Sequence, residues 1–213
     1  MTRPVLLRLR SVARTFDLGG RVSVALDEAD LVVAAGDLVA LHGPSGSGKS
    51  TLLHLAAGWD DPSHGEIERH PTTLHGWSGT AVVPQGIGLI PELTVEENVE
   101  LGIGDSDRDV DAVAVVLARL GLDVAELGGR LPEQLSLGQQ QRVAVARAVV
   151  ARPVMVIADE PTAHQDEVNA GRVFDALRTL ATAGTGVLVS THDVRLLERV
   201  DRVVEVVDGR IVD

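Results

Sequence analysis

The sequence predicts an α/β fold in which a parallel-sheet core carries an antiparallel β group near its N-terminal end and a helical insertion in its middle. Three observations lead there. Largely apolar runs, LVALHG, VMVIAD and VLVST, recur with helical patterns between them, as buried parallel strands joined by crossover helices do. Ahead of them, Val-rich stretches at residues 5–9, 22–26 and 31–33 are parted by Gly or acidic residues and read as short antiparallel strands. From about residue 86 to residue 151 no such strand run occurs, and the patterns are helical. At 213 residues the chain is about 1.4 typical domains long, so one unit is expected. Residues 1–85 and 152–213 would form the core and β group, and about 86–151 the insertion.

Taken in order, LVALHG is a buried strand followed by a Gly-rich turn, and STLLHLAAG is a short helix closed by Gly58. Residues 66–68 and 80–83 are short strand candidates. TVEENVEL, residues 94–101, opens with Thr and then acidic side chains, as a helix N-terminus should. The acidic separator GIGDSDRDVD precedes DAVAVVLARLGL, a helix expected to stop at Gly121. Residues 139–151 continue as helix, VMVIAD is a strand, residues 167–183 are helix, and VLVST is a strand again. The tail VVEVVDGRIVD contains Asp208-Gly209, a favoured two-residue hairpin turn. No internal repeat or low-complexity segment is present.

Composition narrows the function. An apolar content of 45% is that of a globular protein, so disorder is excluded as the main state. The charge balance is acidic: 19 Lys plus Arg stand against 31 Asp plus Glu, a net −12. Phosphate backbones repel such a chain on average, so nucleic acid is excluded as the main ligand. Cysteine is absent, which removes disulfides, thiolate metal sites and thiol nucleophiles. Arg interrupts the short apolar run of MTRPVLLRLRSVAR, so no export leader is expected, and every apolar stretch falls short of the roughly 18 residues that span a bilayer. Membrane attachment would have to run through a protein partner.

Two motifs carry chemistry. GPSGSGKST, made of Gly43, Pro44, Ser45, Gly46, Ser47, Gly48, Lys49, Ser50 and Thr51, fits the phosphate-binding loop pattern and lies between a buried strand and a helix, the context that pattern needs. Glycines let successive backbone N–H groups converge on phosphate, and the positive end of the following helix favours the anion. Lys49, the only lysine in the chain, would reach the β and γ phosphates, and Ser50 would place its hydroxyl on Mg²⁺. The strand VMVIA ends in Asp159 and Glu160, which puts two carboxylates where parallel sheets bind ligands. Asp159 would hold Mg²⁺ and Glu160 would deprotonate an attacking water, although alone the pair reads equally as a helix N-cap.

LSLGQQQR at residues 135–142 and THD at residues 191–193 complete a pattern that resembles the ATP-binding cassette (ABC) ATPases nearly end to end. The resemblance implies a P-loop NTPase (RecA-like) core. It also implies two subunits, as a homodimer or a heterodimer with another cassette, enclosing two ATP molecules with Mg²⁺. LSLGQQQR resembles the signature LSGGQ, so Ser136, Gly138 and Gln139 would meet the γ-phosphate held by the opposite subunit. A plain Ser N-cap is the competing reading. Gln85 sits where the family has a glutamine that ligates Mg²⁺ and water and senses the membrane partner; an isolated Gln would be a surface polar residue. His192 resembles the switch histidine, DEPTAHQD resembles DEPTSALD and makes Asp166 the D-loop acid, and Phe16 takes the place of the adenine-stacking aromatic or else packs in the core. The branch it most resembles is that of lipoprotein release, macrolide export and cell division. The resemblance therefore places the chain in the cytoplasm, held on the inner face of the membrane by an integral permease.

Two departures stand out. Leu137 replaces the first signature glycine, which would slow hydrolysis if it hindered approach to the opposite phosphate. His164 and Gln165 replace small and apolar D-loop residues. Against a transport motor stand two alternatives: a soluble cassette ATPase outside transport, or one of the cell-division, force-transmitting type, and a cassette that binds nucleotide without hydrolysing it. Leu89, Ile90, Pro91 and Leu93 are expected to line a groove for a short permease helix or to form the insertion's own core. His64, His70 and His75 lack the carboxylate or thiolate spacing of a metal site.

Overall fold

A computed structural model describes residues 3–17, 19–74, 76–103 and 110–212 of the chain. His75 and most of the acidic separator, residues 104–109, lie outside them. The chain opens with two long strands, β1 (Val5–Asp17) and β2 (Val22–Ala34), then β3 (Leu38–His42), helix α1 (Lys49–Ala57), β4 (His64–Arg69), the single turn α2 (Gly76–Gly79) and β5 (Thr80–Val83). Helices α3 (Val95–Glu100), α4 (Val110–Arg119), α5 (Val124–Leu127) and α6 (Leu137–Val150) follow. The rest alternates: β6 (Met155–Asp159), α7 (Glu167–Thr182), β7 (Gly186–Ser190), α8 (Val194–Leu197), β8 (Arg202–Val207) and β9 (Arg210–Val212).

Two sheets result. One is antiparallel with order β2-β1-β4, and the other has order β5-β6-β7-β3-β8-β9, parallel except for the β8-β9 hairpin. Every residue of β6 and β7 is buried, which explains why those strands read as unbroken apolar runs rather than as alternating ones. Successive side chains nonetheless serve opposite faces. Met155 and Ile157 join Leu52, Leu53 and Leu55 of α1 and Leu7 and Leu9 of β1, whereas Val156 and Ala158 join Val143 and Ala146 of α6 and Phe174 of α7. The antiparallel sheet and α1 thus cover one face of the parallel sheet, and α6 and α7 the other.

The N-terminal β group departs from expectation. Residues 31–33 are not a strand of their own but the end of β2, and the third strand of that sheet is β4. Left-handed backbone at Ser11 and Glu28 and register shifts around Val12 bend the β1-β2 pair, so the two-residue alternation slips part-way and each strand looks like shorter ones. Elsewhere the ends agree closely. Gly58, in left-handed conformation, closes α1 with its N–H on the carbonyls of His54 and Leu55, and Asp208 and Gly209 both take the positive φ that a tight hairpin requires. Among the described residues no helix is long and apolar enough to cross a membrane.

Candidate active site

Because β3, β5, β6 and β7 run parallel, their C-terminal ends meet along one edge of the sheet. Residues 43–48 leave β3 there and wrap into α1. At Gly43, with φ 145°, a Cβ would stand 2.1 Å from the carbonyl oxygen of Val206; at Gly48, with φ 107°, it would stand 2.4 Å from that of Ala25. Only glycine fits either place. Gly48 is also the N-cap of α1, and no side chain caps it, so the helix presents bare N–H groups to whatever enters the loop. Lys49 is 93% shielded from solvent by its 7% exposure, and its Nζ donates to the carbonyls of Gly43 and Pro44 at 2.8 Å each. The buried hydroxyl of Ser47 has no partner.

Opposite the loop, β6 delivers Asp159 and Glu160, both buried. Ser190, at the end of β7, joins them: its Oγ donates to Asp159 Oδ1 at 2.5 Å and accepts from the backbone N–H of Glu160 at 2.9 Å. Glu160 has φ 49°, a left-handed backbone that turns its side chain back over the sheet edge. His192 Nδ1 lies 3.0 Å from Glu160 Oε1 but off a hydrogen-bonding direction, so that buried oxygen receives no donor. Gln85, just past β5, stands on the same rim. Together Ser45, Gly46, Gly48, Lys49, Ser50, Thr51, Gln85, Asp159, Glu160 and His192 line a cleft of about 210 Å³.

Burial, and behind it the charge of Asp159, push the Glu160 carboxyl above its ordinary value near 4.5, against the pull of His192 and Lys49. Folded protein then keeps this proton to higher pH than unfolded chain does, so stability contributed at low pH is lost as pH rises through the raised value. The melting temperature of nucleotide-free protein should therefore fall over that interval, and fall less in Glu160→Gln. Equal slopes in the two proteins would refute the shift.

The other anticipated residues lie outside this cleft. Ser136 is the N-cap of α6: its Oγ accepts from Gln139 N–H while Gln139 Oε1 accepts from Ser136 N–H, a reciprocal capping box. Gly138 follows in the first turn, and Leu137 between them is 55% exposed, with no crowding inside the chain. Asp166 caps α7 through the N–H of Asn169, and that bond holds its carboxyl below the ordinary range. Phe16, at the end of β1, is half-exposed under the guanidinium of Arg14, 4.7 Å from its centroid. The anticipated residues thus form one convergent cluster and several outlying ones.

Comparison with known proteins decides the family. The family profile described as ABC transporter matches residues 26–163, well over half of the chain. The chain belongs to the ABC transporter family. As an ATP-binding, ATP-hydrolysing cassette it is similar to a lipoprotein-releasing system ATP-binding protein LolD 1 of Rhodospirillum rubrum, 39% identical over 97% of both chains. It is also 38% identical over its whole length to the macrolide export ATP-binding/permease protein MacB of Agrobacterium fabrum, of which it spans 34%. Among solved structures, a dimer of the ATP-binding cassette MJ0796 in a post-hydrolysis state with ADP and Pi matches with TM-score 0.88 and 31% identity, over 98% of this chain and 97% of that one.

Within the cassette, Ser50, Gln85 and Asp159 offer a hydroxyl, an amide and one carboxylate, all oxygen donors of the kind Mg²⁺ prefers. They are too few to hold the ion alone, and no group of three or more His, Cys, Asp or Glu suited to a metal occurs among the described residues. The donor set fits Mg²⁺ that arrives with nucleotide phosphates. Sequence reasoning missed Ser190, whose hydroxyl holds the Asp159 carboxylate and the backbone N–H of Glu160, because one Ser at a strand end has no motif. It also missed Asn98, wholly buried on α3. Its amide donates to the carbonyls of Ile90, Leu93 and Thr94 at 2.9–3.0 Å and accepts from Ile90 N–H at 2.8 Å. Arg147 adds a bond to the carbonyl of Gly88. Leu89 packs against the core, as the core reading of this stretch expects, while Ile90 is 40% exposed at the surface.

Proposed function

We propose that two such cassettes, as a homodimer or with another ABC ATPase subunit, enclose two Mg·ATP and drive a separate integral membrane permease. One observation carries this reading: the cleft gathers Lys49, Ser50, Gln85, Asp159, Glu160 and His192, while Ser136, Gly138 and Gln139 of the same chain stay outside it. A second chain would complete each site. Backbone N–H groups of the loop Gly43, Ser45, Gly46, Ser47, Gly48, Lys49, Ser50 and Thr51, whose turn Pro44 shapes without an N–H of its own, bind phosphate, and Lys49 leaves its two carbonyls for the β and γ oxygens. Ser50, Asp159 and Gln85 hold Mg²⁺, which when bound neutralises developing phosphate charge. Glu160, ionised, takes the proton of the attacking water, and His192 at the mouth of the cleft orients the γ-phosphate. Phe16 stacks on the base, and Ser136, Gly138, Gln139 and Asp166 face the partner subunit's nucleotide.

The names of the relatives support the membrane side, since LolD belongs to a lipoprotein-releasing system and MacB joins ATP-binding and permease parts. The cassette would then sit in the cytoplasm on the inner face of the membrane, with the loop around Ile90 receiving a permease helix. Extraction of native membranes with mild detergent and pulldown of the cassette should bring down an integral membrane protein, and Ile90→Ser should weaken its recovery with melting unchanged. A cassette recovered wholly from the soluble fraction, with no membrane protein attached, would refute the partner.

A further inference from the structure

The aromatic ring at the tip of β1 does not stand alone. Arg14, two residues before Phe16 on the same strand, lays its guanidinium over one face of the ring, 4.7 Å from the centroid, and its Nη2 lies 2.8 Å from Asp60 Oδ1. Arginine suits both contacts, because its planar cation stacks on a π face while its edge still meets a carboxylate. The Nε of Arg14 is buried without a hydrogen-bond partner, so that part of the group is withdrawn from water and fixed between ring and acid. Asp60 belongs to the loop that follows α1, two residues past the C-cap Gly58. The same loop is stapled to the strand a second time: Thr15 N–H donates to Ser63 Oγ at 3.1 Å, and Ser63 N–H to the carbonyl of Ala13 at 2.8 Å. One end of α1 thus carries the phosphate loop, and the other is tied to the strand that ends in Phe16.

We infer, resting on the stacking role given to Phe16 above, that Arg14 is a positioning residue for the nucleotide base: with Asp60 it holds the Phe16 ring in one orientation, one face covered and the other open to stack. An unsupported Phe ring at a strand tip samples several rotamers in water, and ordering it on binding would cost affinity. Arg14 orders it beforehand. A base then has only the open face to use, and α1 and its stapled loop set how far that face stands from the phosphates.

Calorimetry with Mg·ATP and with Mg·tripolyphosphate, which has the phosphates but no base, separates positioning from folding. In Phe16→Ala the dissociation constant for ATP should rise roughly tenfold, the size of one lost base stack, with tripolyphosphate unchanged. Arg14→Met keeps an unbranched stem and removes the cation; it should raise the ATP constant about three- to fivefold, again with tripolyphosphate unchanged, and Arg14→Lys should recover part of the loss. Asp60→Asn leaves Arg14 in place without its counter-charge and should weaken ATP alone by about twofold. Melting temperature is read on each protein, and if Arg14→Met melts early, Arg14→Lys and Asp60→Asn decide. Equal losses for ATP and tripolyphosphate would make Arg14 a structural residue, and tighter ATP binding in Arg14→Met would put the guanidinium in the base's own place; either result overturns the inference. So does ATP affinity that Phe16→Ala lowers and Arg14→Met does not. Unchanged ATP affinity in Phe16→Ala would instead sink the stacking role itself.

Discussion

Replacing Glu160 with Gln is expected to lower ATP turnover roughly 10²- to 10⁴-fold, the range over which positioned general bases act, while leaving Mg·ATP bound. The amide matches the carboxylate in size, still fits beside His192, and keeps the backbone bond to Ser190, but it cannot accept the proton of an attacking water. Removing a negative charge from beside Asp159 also relieves repulsion toward the phosphates. Nucleotide that enters and is not split should accumulate a stable dimer, measurable by light scattering at saturating ATP. Survival of activity together with a purely monomeric protein would sink both the base and the sandwich.

Lys49→Ala should remove nucleotide binding almost completely, by more than about 100-fold in affinity, because a charge-assisted contact to phosphate is lost and no second lysine exists to replace it. The side chain is buried against the carbonyls of Gly43 and Pro44, so truncation also leaves those oxygens without their donor. A modest drop in melting temperature is therefore expected beside the binding defect. Calorimetry on folded protein separates the two, and near-normal ATP affinity there would count against the loop as the phosphate site.

How far such a site is legible in sequence depends on whether its parts are contiguous. The phosphate loop and the Asp159-Glu160 pair were readable because loop glycines and strand-end carboxylates are local patterns tied to local geometry. Gln85 and His192 needed the resemblance to a family, since each is one polar residue after a strand, and only the parallel order of β5, β6, β7 and β3 brings them together. Ser190 was invisible because its role depends on partners some thirty residues back in the chain, the carboxylate of Asp159 and the backbone N–H of Glu160. The β1-β2 pair was misjudged where bulges disturb the alternation that marks a strand. Asn98 looked like an ordinary polar residue of an amphipathic helix, because nothing local says that the loop before α3 folds back over it.

That folded-back loop has a thermodynamic meaning for assembly. With four hydrogen bonds from one buried amide and another from Arg147, residues 88–94 are ordered before any partner arrives. If a permease segment docks over Ile90 as proposed, it would meet a surface ordered beforehand, so little chain entropy would be surrendered on association and even a short contact would hold. Discrimination among docking segments would then fall to how well each fits a rigid template, and a new pairing would be free to evolve by changes in the partner alone.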